Sequence, residues 1–128
     1  MKRDVISTDQ APGAIGPYSQ AIKCECRGFV FCSGQIPIDP VTGEIIQGGV
    51  SEQTRQALEN LKAVLKEAGL GLDNVVKTTV FLDSMDDFLS MNEIYEQYFT
   101  SDPPARAAFE VACLPKNAKV EIEAVACY

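Results

Sequence analysis

Two stretches of this chain repeat their apolar residues at helical spacing, while the rest alternates in the manner of strands. Thr54, Ala57, Leu58, Leu61, Val64, Leu65 and Ala68 recur at steps of three and four, which predicts an amphipathic helix from about Ser51 to Ala68. Ser51 is its expected N-cap and Gly69 the expected residue just past its end. Phe88, Met91, Tyr95, Tyr98 and Phe99 make the second stripe. Ser84-Met85-Asp86-Asp87 offers that helix a capped start, and Pro103-Pro104 closes the segment.

Strands fill the remainder. Residues 18–26 and 28–34 read as a hairpin turning at Arg27-Gly28, and Val75 to Leu82 is rich in Val, Thr and Phe. Two further strands are expected near 106–112 and 119–127, with a short leading strand at Arg3 to Ile6. Gln35 to Gly49 carries Pro37, Pro40, Gly43, Gly48 and Gly49, which is loop composition. The order β-β-α-β-α-β-β, with no linker or repeat, predicts one α+β domain over residues 1–128. Its architecture is a single mixed sheet with two helices on one face.

Two helices leave the other sheet face open, so its composition matters. In the last strand Val120, Ile122, Ala124 and Ala126 point one way, and Glu121, Glu123, Val125 and Cys127 the other. Ala107, Phe109 and Val111 oppose Arg106, Ala108, Glu110 and Ala112; Val76, Val80 and Leu82 oppose Val75 and Phe81. The open face is thus mixed, either solvated or covered by another subunit, and the pattern favours the subunit.

Composition narrows the chemistry. The chain has no histidine, which removes Ser-His-Asp triads, imidazole acid-base catalysis and His-containing zinc sites. Eleven basic against eighteen acidic side chains give a net charge of −7, a surface that repels phosphate backbones and argues against nucleic acid. Lys2 and Arg3 precede Asp4 where a secretory leader would turn apolar, and the longest apolar run, Ala124 to Tyr128, is five residues. No membrane span and a reducing cytoplasm are the expectations. Among Cys24, Cys26, Cys32, Cys113 and Cys127, the Cys24-x-Cys26 spacing is too tight for a zinc knuckle and lacks a second pair. Free thiols packed as small apolar groups, and no metal, are expected. No phosphate-cradling glycine loop is present, and Asp86-Asp87 reads as a helix start.

One arginine and one glutamate stand out. Arg106 follows the stiff segment Pro103-Pro104-Ala105, and a guanidinium fork is the preferred receptor for a small carboxylate. Glu121 lies in an apolar strand, where a carboxylate can orient or deprotonate a water. Spacing alone leaves open a solvated Arg and Glu, or a simple salt bridge between them.

Five blocks resemble the Rid (YjgF-type) family of reactive-intermediate deaminases. They are Ala14-Ile15-Gly16-Pro17-Tyr18-Ser19-Gln20, Ser33-Gly34-Gln35-Ile36-Pro37, Val76-Lys77-Thr78-Thr79-Val80-Phe81, Met91-Asn92-Glu93-Ile94-Tyr95, and the run Pro104 to Leu114 followed by Val120-Glu121-Ile122. The resemblance implies a chorismate-mutase-like homotrimer around a central barrel, with clefts at subunit boundaries. It implies hydrolysis of 2-imino acids, such as 2-iminobutanoate and 2-iminopropanoate, to 2-keto acids and ammonia without a cofactor. Carried over, Arg106 binds the substrate carboxylate and Glu121 positions the water. Tyr18, Ser33, Gly34 and Asn92 line the cleft, and the backbone N–H of Ala108 meets the substrate where close relatives often carry cysteine. Two other functions stay open: a 2-keto acid binding or sensing module, and a ribonuclease-type translation inhibitor, which the acidic balance disfavours.

Overall fold

The computed structural model describes all 128 residues. Its elements run β1 (Lys2–Ile6), β2 (Ala21–Glu25), β3 (Phe29–Gln35), α1 (Val50–Glu67), β4 (Val75–Leu82), α2 (Phe88–Tyr98), β5 (Ala105–Glu110) and β6 (Val120–Cys127). Four strands form a mixed sheet in the order β3-β6-β4-β5, in which only the β4–β5 pair is parallel. Both helices pack on one face, as an α+β layer requires, and no helix is long and apolar enough to cross a membrane.

The core lies between that face and the helices. Leu58, Leu61 and Leu65 of α1 and Met91 and Tyr95 of α2 are fully buried against Val80, Leu82, Val120 and Ile122. Val64 falls at the margin of the stripe and is 39% exposed. Gln53 takes an inward position instead, its Oε1 accepting the Lys119 N–H at 2.8 Å. The N-cap of α1 is Gly49 rather than Ser51, because the Glu52 carboxylate reaches back to the Gly49 N–H at 2.9 Å. At the other end Gly69, with φ +75°, closes a Schellman turn: its N–H reaches Lys66 O at 2.9 Å while Leu70 N–H reaches Leu65 O at 2.9 Å. Ser84 Oγ accepts the Asp86 N–H at 3.1 Å in a short turn, and α2 begins at Phe88.

Three strand details depart from the sequence reading. First, β2 does not pair with β3; it forms a separate antiparallel ribbon with β1, and Arg3 stands opposite Cys24. The expected turn residue Gly28 exchanges two backbone hydrogen bonds with Tyr128, at 3.2 and 3.1 Å, so the chain enters β3 already paired with β6. A side chain at Gly28 would stand 2.7 Å from Tyr128 Oη. Second, a bulge between Val75 and Lys77 reverses the strand's phase. Val75 is therefore fully buried in the core with Val80 and Leu82, and Val76 is not. Third, β5 stops at Glu110, after which Val111 N–H bonds Leu82 O at 2.9 Å.

The face away from the helices carries Phe29, Phe31 and Phe109, which are 52%, 76% and 45% exposed. Phe81 meets Phe109 edge-on at 5.4 Å between ring centroids, and Glu121 is Phe81's partner on β6.

Candidate active site

Arg106 owes its position to three elements. It lies on β5 opposite Thr78 of β4, whose side chain is buried, so Arg106 leaves the sheet on the helix-bearing face. Residues 16–20 run beside the start of β5 through a parallel bridge between Ser19 and Ala105, closed by Ser19 N–H to Pro104 O at 3.1 Å. Ser19 is buried there, and its hydroxyl also bonds Pro103 O. That bridge brings Tyr18 to the guanidinium. From above, α2 supplies Phe88, Asn92 and Tyr95 at helical steps of four and three.

The result is a walled guanidinium. Its Cζ lies 5.5, 5.6 and 4.8 Å from the ring centroids of Tyr18, Phe88 and Tyr95. Nη1 donates to Asn92 Oδ1 at 2.8 Å. Nη2 points towards Gly16, where a Cβ would lie 3.6 Å away. Burial lowers the Arg106 pKa from its ordinary value, while Tyr95 and Tyr18 act in the opposite direction; a guanidinium so placed keeps its charge. The two ion pairs of the chain are Lys2–Asp4 and Lys62–Glu59, so no carboxylate neutralises Arg106. Behind it, Tyr95 Oη and Thr78 Oγ1 share a buried hydrogen bond of 2.7 Å. Burial pushes the Tyr95 hydroxyl up to about 12, against the opposing pull of that bond and of Arg106.

Glu121 stands elsewhere. It faces away from the helices, beside Phe81, and its carboxyl group lies over the bulge that separates Cys32 and Gln35 of β3. A Cβ on Gly34 would be 2.8 Å from Glu121 Cδ. Glycine at 34 thus makes room for a side chain of the protein itself. Ser33, exposed, adjoins this second group. Ala108 is two residues beyond Arg106 on the same face of β5 and packs against the core.

The seven residues singled out in the sequence therefore fall into two groups. Tyr18, Asn92, Arg106 and Ala108 share one face; Ser33, Gly34 and Glu121 share the other. The salt bridge between Arg106 and Glu121 is not formed. The sequence marks Phe88 only as a core residue, Tyr95 as core and the end of a block, and Gly16 only as part of a block. The 88, 92, 95 spacing was the available signal that they share a helix face with Asn92.

The thiols divide as well. Cys32 and Cys127 are buried, Cys24 and Cys26 half-buried and Cys113 exposed, and all five are free.

Residues 8–128 match the model of the Endoribonuclease L-PSP family. Human 2-iminobutanoate/2-iminopropanoate deaminase is 56% identical over 124 residues, covering 97% of this chain and 89% of the human one. A RutC family protein of Pyrococcus abyssi is 54% identical over 126 residues, 98% of either chain. The crystal structure of E. coli TdcF with bound serine superposes with a TM-score of 0.75 at 44% identity, covering 98% of both chains. The E. coli YjgF gene product gives a TM-score of 0.74 at 46% identity, over 97% of this chain and 98% of that one. With the family model spanning nearly the whole sequence and relatives above half identity, this chain belongs to the Endoribonuclease L-PSP family, also called YjgF/Rid.

Proposed function

We propose that the protein hydrolyses 2-imino acids, such as 2-iminobutanoate and 2-iminopropanoate, to 2-keto acids and ammonia. The observation that carries this reading is Arg106: a half-buried guanidinium, held by Asn92, ringed by aromatic side chains and facing no carboxylate of its own chain. Such a group is a receptor for a small carboxylate. The deaminase name of the human relative supports the same chemistry.

The substrate carboxylate binds the guanidinium, which sets the C=N carbon above Tyr18 and beside β5. Water adds to that carbon, one proton passes to the imine nitrogen, and the resulting carbinolamine expels ammonia to leave the ketone. The atoms balance as imine plus water giving keto acid plus ammonia, so no cofactor is needed. The carboxylate that orients the water is Glu121. Within one chain it occupies the opposite sheet face, so the complete site takes Arg106 from one copy and Glu121 from another. A homotrimer whose subunits meet through the open face, with its exposed Phe29, Phe31 and Phe109, supplies that arrangement. The five free thiols fit a reducing cytoplasm.

The family label names an endoribonuclease, but a net charge of −7 favours a small carboxylate over a polyphosphate chain.

The test is ammonia release from enzymatically generated 2-iminobutanoate, with semicarbazide as the competing trap. Arg106→Ala is expected to lose about 30- to 1,000-fold in turnover, the 2–4 kcal/mol of a charge-assisted bidentate contact. Arg106→Lys is expected to recover only part, because an ammonium lacks the planar fork. Parental turnover in Arg106→Ala defeats the proposal; keto-acid binding without any turnover in the parent replaces the enzyme with a binding module.

A further inference from the structure

We propose that Cys24, Cys26 and Cys127, with the thioether of Met1, form a binding site for a soft monovalent metal ion, Cu(I). Cys24 and Cys26 are two positions apart in extended chain, so their side chains project to the same side of the ribbon. Cys127 arrives from the far end of β6. The three Sγ atoms all lie within 4.8 Å of one another, and Met1 Sδ is 2.9 Å from Cys127 Sγ. A metal with bonds to sulfur of about 2.3 Å holds three sulfurs about 4 Å apart in a trigonal plane. That spacing lies within the 4.8 Å that spans the three thiols.

The donor set selects the ion. All four atoms are sulfur, and the chain has no imidazole to complete a zinc tetrahedron. Structural zinc takes four strong ligands, and a thioether is a weak one; thiolates with a thioether suit Cu(I). Between the two cysteines of the ribbon a disulfide fits less well. Cys24 and Cys26 are separated by about 6.6 Å along an extended strand, near the upper limit of bridgeable Cα distances. Burial also suits the ion: Cys127 is fully covered, which excludes water, while the half-buried Cys24 and Cys26 leave an entry side. Binding releases the thiol protons to solvent and needs no oxidant or reductant. None of these residues belongs to the Arg106 group or to the Glu121 group.

The test uses the full, reduced chain under anaerobic conditions, titrated against Cu(I) held by bathocuproine disulfonate. Uptake of one Cu(I) per chain is expected, with thiolate-to-copper absorption in the ultraviolet and a sulfur-only shell by X-ray absorption. Outer-shell changes at metal sites already cost 10- to 100-fold in affinity, so Cys24→Ser and Cys26→Ser are each expected to cost more than about 100-fold. Both positions are half-buried, which keeps the test open should the buried Cys127→Ser misfold. Cys113→Ser, at an exposed thiol, is the control expected to bind as the parent does. The proposal is overturned by no uptake from the chelator, by parental affinity in both Cys24→Ser and Cys26→Ser, by Zn(II) displacing Cu(I) at equal concentration, or by a disulfide among these cysteines in place of metal.

Discussion

Arg106 and Glu121 leave the same four-stranded sheet on opposite faces. Arg106 is in register with the buried Thr78, whereas Glu121 is in register with Phe81, and Thr78 and Phe81 are three residues apart on β4. An odd separation on a strand reverses the side. A reaction that uses both groups at one carbon therefore needs two copies of the chain.

Subunit mixing measures this directly. The Arg106→Ala and Glu121→Gln proteins are each expected to be nearly inactive in ammonia release. Co-refolded in equal amounts, they are expected to regain about one quarter of the parental sites, because one in four random neighbour pairs unites an intact Arg106 with an intact Glu121. No recovery in demonstrably mixed oligomers places both residues in one subunit's site and overturns the proposed shared cleft.

Gly34 offers a separate handle on Glu121. A Cβ there would press on the far end of the Glu121 side chain at 2.8 Å, which a flexible side chain relieves by moving. Gly34→Ala is expected to fold normally and to lower kcat by at least about tenfold, while 2-ketobutanoate affinity at Arg106 changes little. Calorimetry beside ammonia-release kinetics separates the two effects. An unchanged kcat means that the Glu121 position seen here is not the working one.

The open face makes its own prediction. Phe31 is 76% exposed in the single chain, so Phe31→Asp is expected to alter the subunit's own stability by no more than about 0.5 kcal/mol. A carboxylate in an apolar subunit contact, by contrast, is strongly unfavourable. Sedimentation is expected to show dissociation, accompanied by loss of turnover. A trimer retained at full activity assigns the subunit contact to some other surface.

Tyr95 links stability to alkaline pH. Its hydroxyl, pushed up to about 12 by burial, ionises near 10 once the chain unfolds. The folded form therefore holds the proton where the unfolded form releases it. The stability involved is fully present below pH 10 and is lost as pH rises through 12, by about 2–3 kcal/mol. Tyr95→Phe is expected to abolish that share of the alkaline loss. At pH 7 it is expected to cost about 1–3 kcal/mol, since Thr78 Oγ1 loses its buried partner. Urea unfolding of both proteins at pH 7, 10 and 12 decides it; equal alkaline losses contradict the assignment to Tyr95.

The sequence by itself determined the elements that carry their own period. The three- and four-residue steps from Thr54 to Leu65 specify α1, and the alternation from Val120 to Ala126 specifies β6 and its buried face, because each pattern is local. Local spacing left Arg106 and Glu121 open to a solvated or salt-bridged reading, and their proposed roles come from the family blocks around them. What it did not contain is anything set by contacts between distant residues. The bulge that buries Val75 in place of Val76 arises from pairing with β6. β2 pairs with the distant β1, while Gly28, the expected hairpin turn, is engaged by Tyr128. The walls around Arg106 come from α2 and from the distant segment that carries Tyr18, and the sulfur cluster joins Met1 to Cys127 across the whole chain. Such relationships follow from register and packing, and a one-residue shift in either moves a side chain to the other face.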